Sequence, residues 1–133
     1  MIEHIPPPML KATLREWQRI LRAGGELRIH TPNGEVLGRA LIDNASGMRN
    51  AFWAVQSAIF GHGRAPNYAT GPERLRDRGD HRLIFTFPEL RDLLEEAGFW
   101  QVVDISGEDP CHHAREWEAF VPGLCLEVKA LRR

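Results

Sequence analysis

Across one pair of glycines the chain changes its hydrophobic period, and that change limits the architectures open to it. In residues 9–23, Leu10, Leu14, Trp17 and Leu21 recur at spacings of four, three and four, which lines them along one helical face with Ile20 beside them. Just past Gly24 and Gly25, residues 26–31 (ELRIHT) alternate instead. Leu27, Ile29 and Thr31 share one strand face, and Glu26, Arg28 and His30 share the other. A helical period handing over to a strand period requires a helix laid on a sheet, an α/β layering. Both elements are punctuated. Pro6, Pro7 and Pro8 fit only before the helix or in its first turn, the glycines supply a left-handed stop, and Arg19 and Arg22 fall near the negative end of the helix dipole. Pro32 and Asn33 then break the strand.

The rest of the chain continues in the same alphabet. Residues 36–41 suggest a short helix, and residues 46–60 a longer one whose Met48, Phe52, Val55 and Ile59 keep helical spacing up to Gly61. Residues 61–80, with four glycines and two prolines, predict an exposed loop. Thr86 with Glu89 forms a capping box ahead of a helix that buries Leu90, Leu93, Leu94 and Ala97 and stops at Gly98. Residues 99–105 predict a strand, 106–117 a polar connection, and 124–131 a last strand with Leu124, Leu126, Val128 and Ala130 on one face. Crossover helices make the first two strands run parallel, and the last two should form an antiparallel hairpin. The expected fold is thus α/β, with a sheet of about three strands and packed helices.

At 133 residues the chain fits one domain with a real core. Seventeen basic against eighteen acidic residues leave a formal net charge of −1, which offers nucleic acid or anionic lipid no net attraction. Residues 74–82 (RLRDRGDHR) compensate their own charge, so no nucleic-acid partner is expected. Without a signal peptide or an apolar run long enough to span a bilayer, the expected compartment is the cytoplasm, with Cys111 and Cys125 reduced and no membrane association.

Four segments, in order, carry a resemblance to a known family. They are Glu3-His4-Ile5-Pro6 leading through residues 14–21 to Gly24-Gly25-Glu26-Leu27-Arg28-Ile29; Thr31-Pro32-Asn33; residues 81–86 with Leu90 and residues 93–99; and residues 126–130. Together they resemble the C-terminal half of a class I, Rossmann-like S-adenosylmethionine-dependent methyltransferase of the type 11-like group. In those terms they are similar to the turn after the fourth strand, the fourth helix and fifth strand, the last helix with the start of the sixth strand, and the closing strand. The resemblance implies S-adenosylmethionine as cofactor and methyl transfer to a small acceptor. It also implies a missing half, because neither Gly61-His62-Gly63 nor Gly24-Gly25 is a strand-to-helix glycine loop able to approach a ligand. The chain alone should therefore bind the cofactor poorly. Strand 26–31, without its fourth-strand neighbour, becomes an open edge, and a homodimer through that edge or a separate cofactor-binding half is expected to cover it. The competing class is a non-catalytic, partner-binding module.

By the resemblance, Glu3 and His4 face the cofactor or acceptor, and His81 with Phe85 closes over the acceptor. His4, His30 and His81 are the candidate catalytic groups, since an imidazole near neutrality suits general base work. Glu3, Thr31, Asn33 and Phe85 are the candidate substrate contacts. His30 and Asn33 flank the turn after a strand, where open α/β sheets put ligands, although Asn33-Gly34 is also ordinary turn chemistry. Cys111-His112-His113 is metal-like in composition, but adjacent residues do not readily converge on one ion, and Cys125 and His62 could join only by accident of folding. No metal is expected.

Overall fold

A computed structural model describes residues 2–42, 81–108 and 123–133. Their element order is a short 3-10 turn (Ile2–His4), helix α1 (Pro7–Ile20), strand β1 (Glu26–Pro32), helix α2 (Gly34–Ile42), helix α3 (Phe87–Glu96), strand β2 (Phe99–Asp104) and strand β3 (Cys125–Arg132). The helix expected over 46–60, the loop over 61–80 and the Cys111-His112-His113 segment lie outside the described residues.

The strands form one sheet in the order β1-β3-β2, with β3 antiparallel to both neighbours. The first two strands therefore point the same way, and the last two pair antiparallel, as their sequence predicts. The last strand in the chain is nevertheless inserted between the earlier two. Alternation sets which face is buried. Ile29 and Thr31 of β1 sit opposite Val128 and Leu126 of β3, and all four are buried. Against that face pack Leu10 and Leu14 of α1 and Leu90 and Leu94 of α3, joined by Ile2, Phe85, Phe99, Val102 and Ala130 in a single core. An exposed Lys11–Glu96 ion pair at 2.8 Å links the two helices.

Helix α1 ends at Ile20, short of the Gly24-Gly25 stop that the sequence predicts. The reason lies in β3: the Arg132 guanidinium donates to the carbonyls of Arg19 and Leu21, supplying the positive charge that the dipole favours at this end. Gly24 takes its left-handed backbone (φ +71°) one step later, where its N–H donates to the Arg132 carbonyl and starts the strand. At α3 the capping box forms as predicted, with Glu89 accepting both the N–H and the hydroxyl of Thr86. Strand β2 is irregular: its register against β3 slips between Trp100 and Val103, and Gln101 takes φ +47° there.

Candidate functional site

Ile2–His4 packs against β1. The Glu3 carbonyl accepts the N–H groups of both Arg82 (2.7 Å) and Leu83 (3.1 Å), so the turn and the strand-like stretch entering α3 are fastened to each other. This fastening brings the side chains of Glu3, His4 and His81 together. Glu3 Oε1 lies 3.6 Å from His4 Nε2 and 3.9 Å from His81 Nε2, and the two imidazoles meet edge to face with centroids 4.8 Å apart. Glu3 and His81 side chains are each 10% exposed, whereas His4 is 39% exposed and forms the outer side of the cluster. Burial works against charge on Glu3, but hydrogen bonds, including one from its own backbone N–H, and neighbouring positive charge hold its carboxyl below the ordinary carboxylate value.

The remaining candidates are spread elsewhere. Asn33 is a helix cap: its Oδ1 accepts from the N–H groups of Glu35 and Val36, satisfying two donors at the start of α2. Phe85 is 4% exposed and belongs to the core, while its carbonyl accepts the Gly34 N–H at 2.8 Å. Thr31 is buried, and its hydroxyl makes no hydrogen bond. His30 faces away from the main core, with Nδ1 3.2 Å from Oε1 of Glu127, its direct partner across the β1–β3 ladder. Glu127 is 2% exposed, a fully buried carboxylate in the central strand. Reading 124–131 as a one-faced strand misses it, because alternation assigns Glu127 to the polar face.

Among the described residues, a second feature runs along the side of β1 away from β3. Ile2, Trp17, Ile20, Leu21, Leu27 and Ile29, with Arg28 and His30, line an apolar groove of about 430 Å³. Ile20 is 63% exposed within it.

The turn from β1 into α2 is the one strand-to-helix turn among the described residues, and such a turn is where a dinucleotide-like cofactor would be cradled. Here the protein itself occupies it. A Cβ on Gly34 would stand 2.9 Å from Ile84 Cγ2 and 2.9 Å from the Phe85 carbonyl oxygen. The glycine serves close approach of residues 84–85, so this turn does not offer an S-adenosylmethionine cradle.

Models of known protein families, curated proteins and solved structures offer no match to this chain.

Proposed function

We propose that this chain is the C-terminal half of a Rossmann-like, class I methyltransferase fold, and that the complete fold transfers a methyl group from S-adenosylmethionine to a small acceptor. The observation that carries the reading is the joint arrangement of the segments resembling the family. Those similar to its fifth, sixth and closing strands are three neighbouring strands of one sheet, and the Glu3-His4 turn, similar to the one after the fourth strand, lies against β1. In this reading Glu3, His4 and His81 form the polar rim on the acceptor's side. Methyl transfer depends on in-line approach of acceptor and sulfonium more than on an acid or base, so the rim's part is to orient the acceptor. The cofactor cradle comes from elements beyond the described residues or from another polypeptide, and the chain alone is catalytically weak or inert.

A second reading, a non-catalytic module that binds a copy of itself or another protein, is favoured by the apolar groove beside the edge strand β1. Calorimetric titration with S-adenosylmethionine and its demethylated product, with molar mass from light scattering in the same buffer, tests both. No saturable binding by the chain, from a dimer, is expected. Saturable micromolar binding would overturn the claim that the cradle lies elsewhere. A monodisperse monomer at micromolar concentration would count against pairing through β1.

A further inference from the structure

We propose that Glu3, His4 and His81 form a binding site for a divalent transition cation, with zinc the best fit. The inference does not rest on the methyltransferase reading. It rests on convergence: one carboxylate oxygen and two imidazole nitrogens lie within 4.8 Å of one another, supplied by two stretches far apart in sequence and fastened together through the Glu3 carbonyl. Zinc ligands about 2.0–2.1 Å from the metal stand roughly 3.3 Å from each other in a tetrahedron. The Glu3–His4 and Glu3–His81 separations are 3.6 and 3.9 Å and the three ligand atoms lie within 4.8 Å of one another, so binding would draw the side chains inward by up to about 1.5 Å to reach the tetrahedral spacing.

The donor set selects the metal. Two imidazoles and one carboxylate suit zinc, and cobalt or nickel after it, whereas magnesium and calcium prefer sites made of oxygen alone. His4, the most exposed of the three, marks the side from which an ion enters. Three protein ligands leave a fourth position for water or for an oxygen donor of a small ligand, the arrangement of sites that work on ligands and not of sealed structural ones.

The test uses the full chain, carrying no histidine tag and no extra residue before Met1. Zinc chloride is titrated calorimetrically, and zinc is also added while the histidine imidazole resonances are followed by NMR. One zinc per chain is expected, with the His4 and His81 resonances shifting together. Glu3→Gln, nearly isosteric, and His81→Ala should each weaken binding at least tenfold, while His113→Ala should not. Circular dichroism verifies that the variants fold, and the NMR readout on the unaltered chain needs no variant. Failure of the unaltered chain to bind zinc, binding unchanged in Glu3→Gln, or shifts confined to His112 and His113 would each overturn the proposal. Cofactor binding is not read in any of these arms, so the outcome is separable from that of the methyltransferase reading.

Discussion

Thr31 spends a hydrogen-bonding group to no structural end: its hydroxyl is buried in β1 and makes no hydrogen bond. A buried unsatisfied hydroxyl costs roughly 1–3 kcal/mol, and valine has the same shape and an equal liking for strands. Thr31→Val should therefore raise unfolding stability by about 1 kcal/mol, read as a higher denaturant midpoint with unchanged slope. An unchanged or lower midpoint would mean that the hydroxyl has a partner in solution. Alternation alone puts Thr31 on the buried face, so its burial is legible from sequence, whereas its lack of a partner is not. The same limit governs the site. Glu3 and His4 are adjacent in sequence and His81 is far from both, and the backbone bonds from Arg82 and Leu83 to the Glu3 carbonyl bring the histidines to one carboxylate. No spacing rule connects residues so far apart. His30 stands out in the sequence and Glu127 does not, because their closeness depends on a register between β1 and β3 that neither strand carries by itself.

Elements that declare themselves by period and cap were legible, and boundaries set by neighbours were not. The Thr86–Glu89 box and the burial of Leu90 and Leu94 follow from residues 86–97 alone. The end of α1 at Ile20 depends on Arg132, and the slipped register of β2 at Gln101 depends on how β3 passes it. The junction of β1, α2 and the stretch before α3 shows the same dependence most sharply. Asn33 caps α2, its N–H donates to the Leu124 carbonyl, and it forms a parallel bridge with Phe85, with Gly34 bonded to the Phe85 carbonyl. A methyl group at Gly34 has no room against that backbone oxygen. Gly34→Ala should cost about 1–3 kcal/mol, the usual range for overpacking, despite alanine's better helix propensity. Gly38→Ala, in the same helix with nothing near its would-be Cβ, should be neutral or stabilising by up to about 1 kcal/mol. Thermal unfolding of the two variants side by side isolates the contact from the propensity; equal midpoints would refute it.

At the scale of the whole molecule, β1 pairs among the described residues with β3 alone, and an apolar groove runs beside its other edge, a combination that favours association. Ile20 is mostly exposed yet lines that groove, so Ile20→Glu should leave stability within about 0.5 kcal/mol of the parent, as surface changes usually do. If the edge pairs with another copy, the same substitution should shift the light-scattering mass from dimer toward monomer; a dimer that persists unaltered would place the contact elsewhere. The central position of β3 also dictates the sequence of events in time. Among the described residues, neither β1 nor β2 has a strand neighbour to bond until residues 125–132 arrive between them. Nearly every rung of the β1–β3 ladder closes a loop of about a hundred residues, the kind of contact whose entropy must be spent before it returns any stability. On the ribosome, then, this sheet has to wait for its final strand to emerge, and until that moment the apolar faces of β1, α1 and α3 stand open together, which is when a holding chaperone would have the most to do.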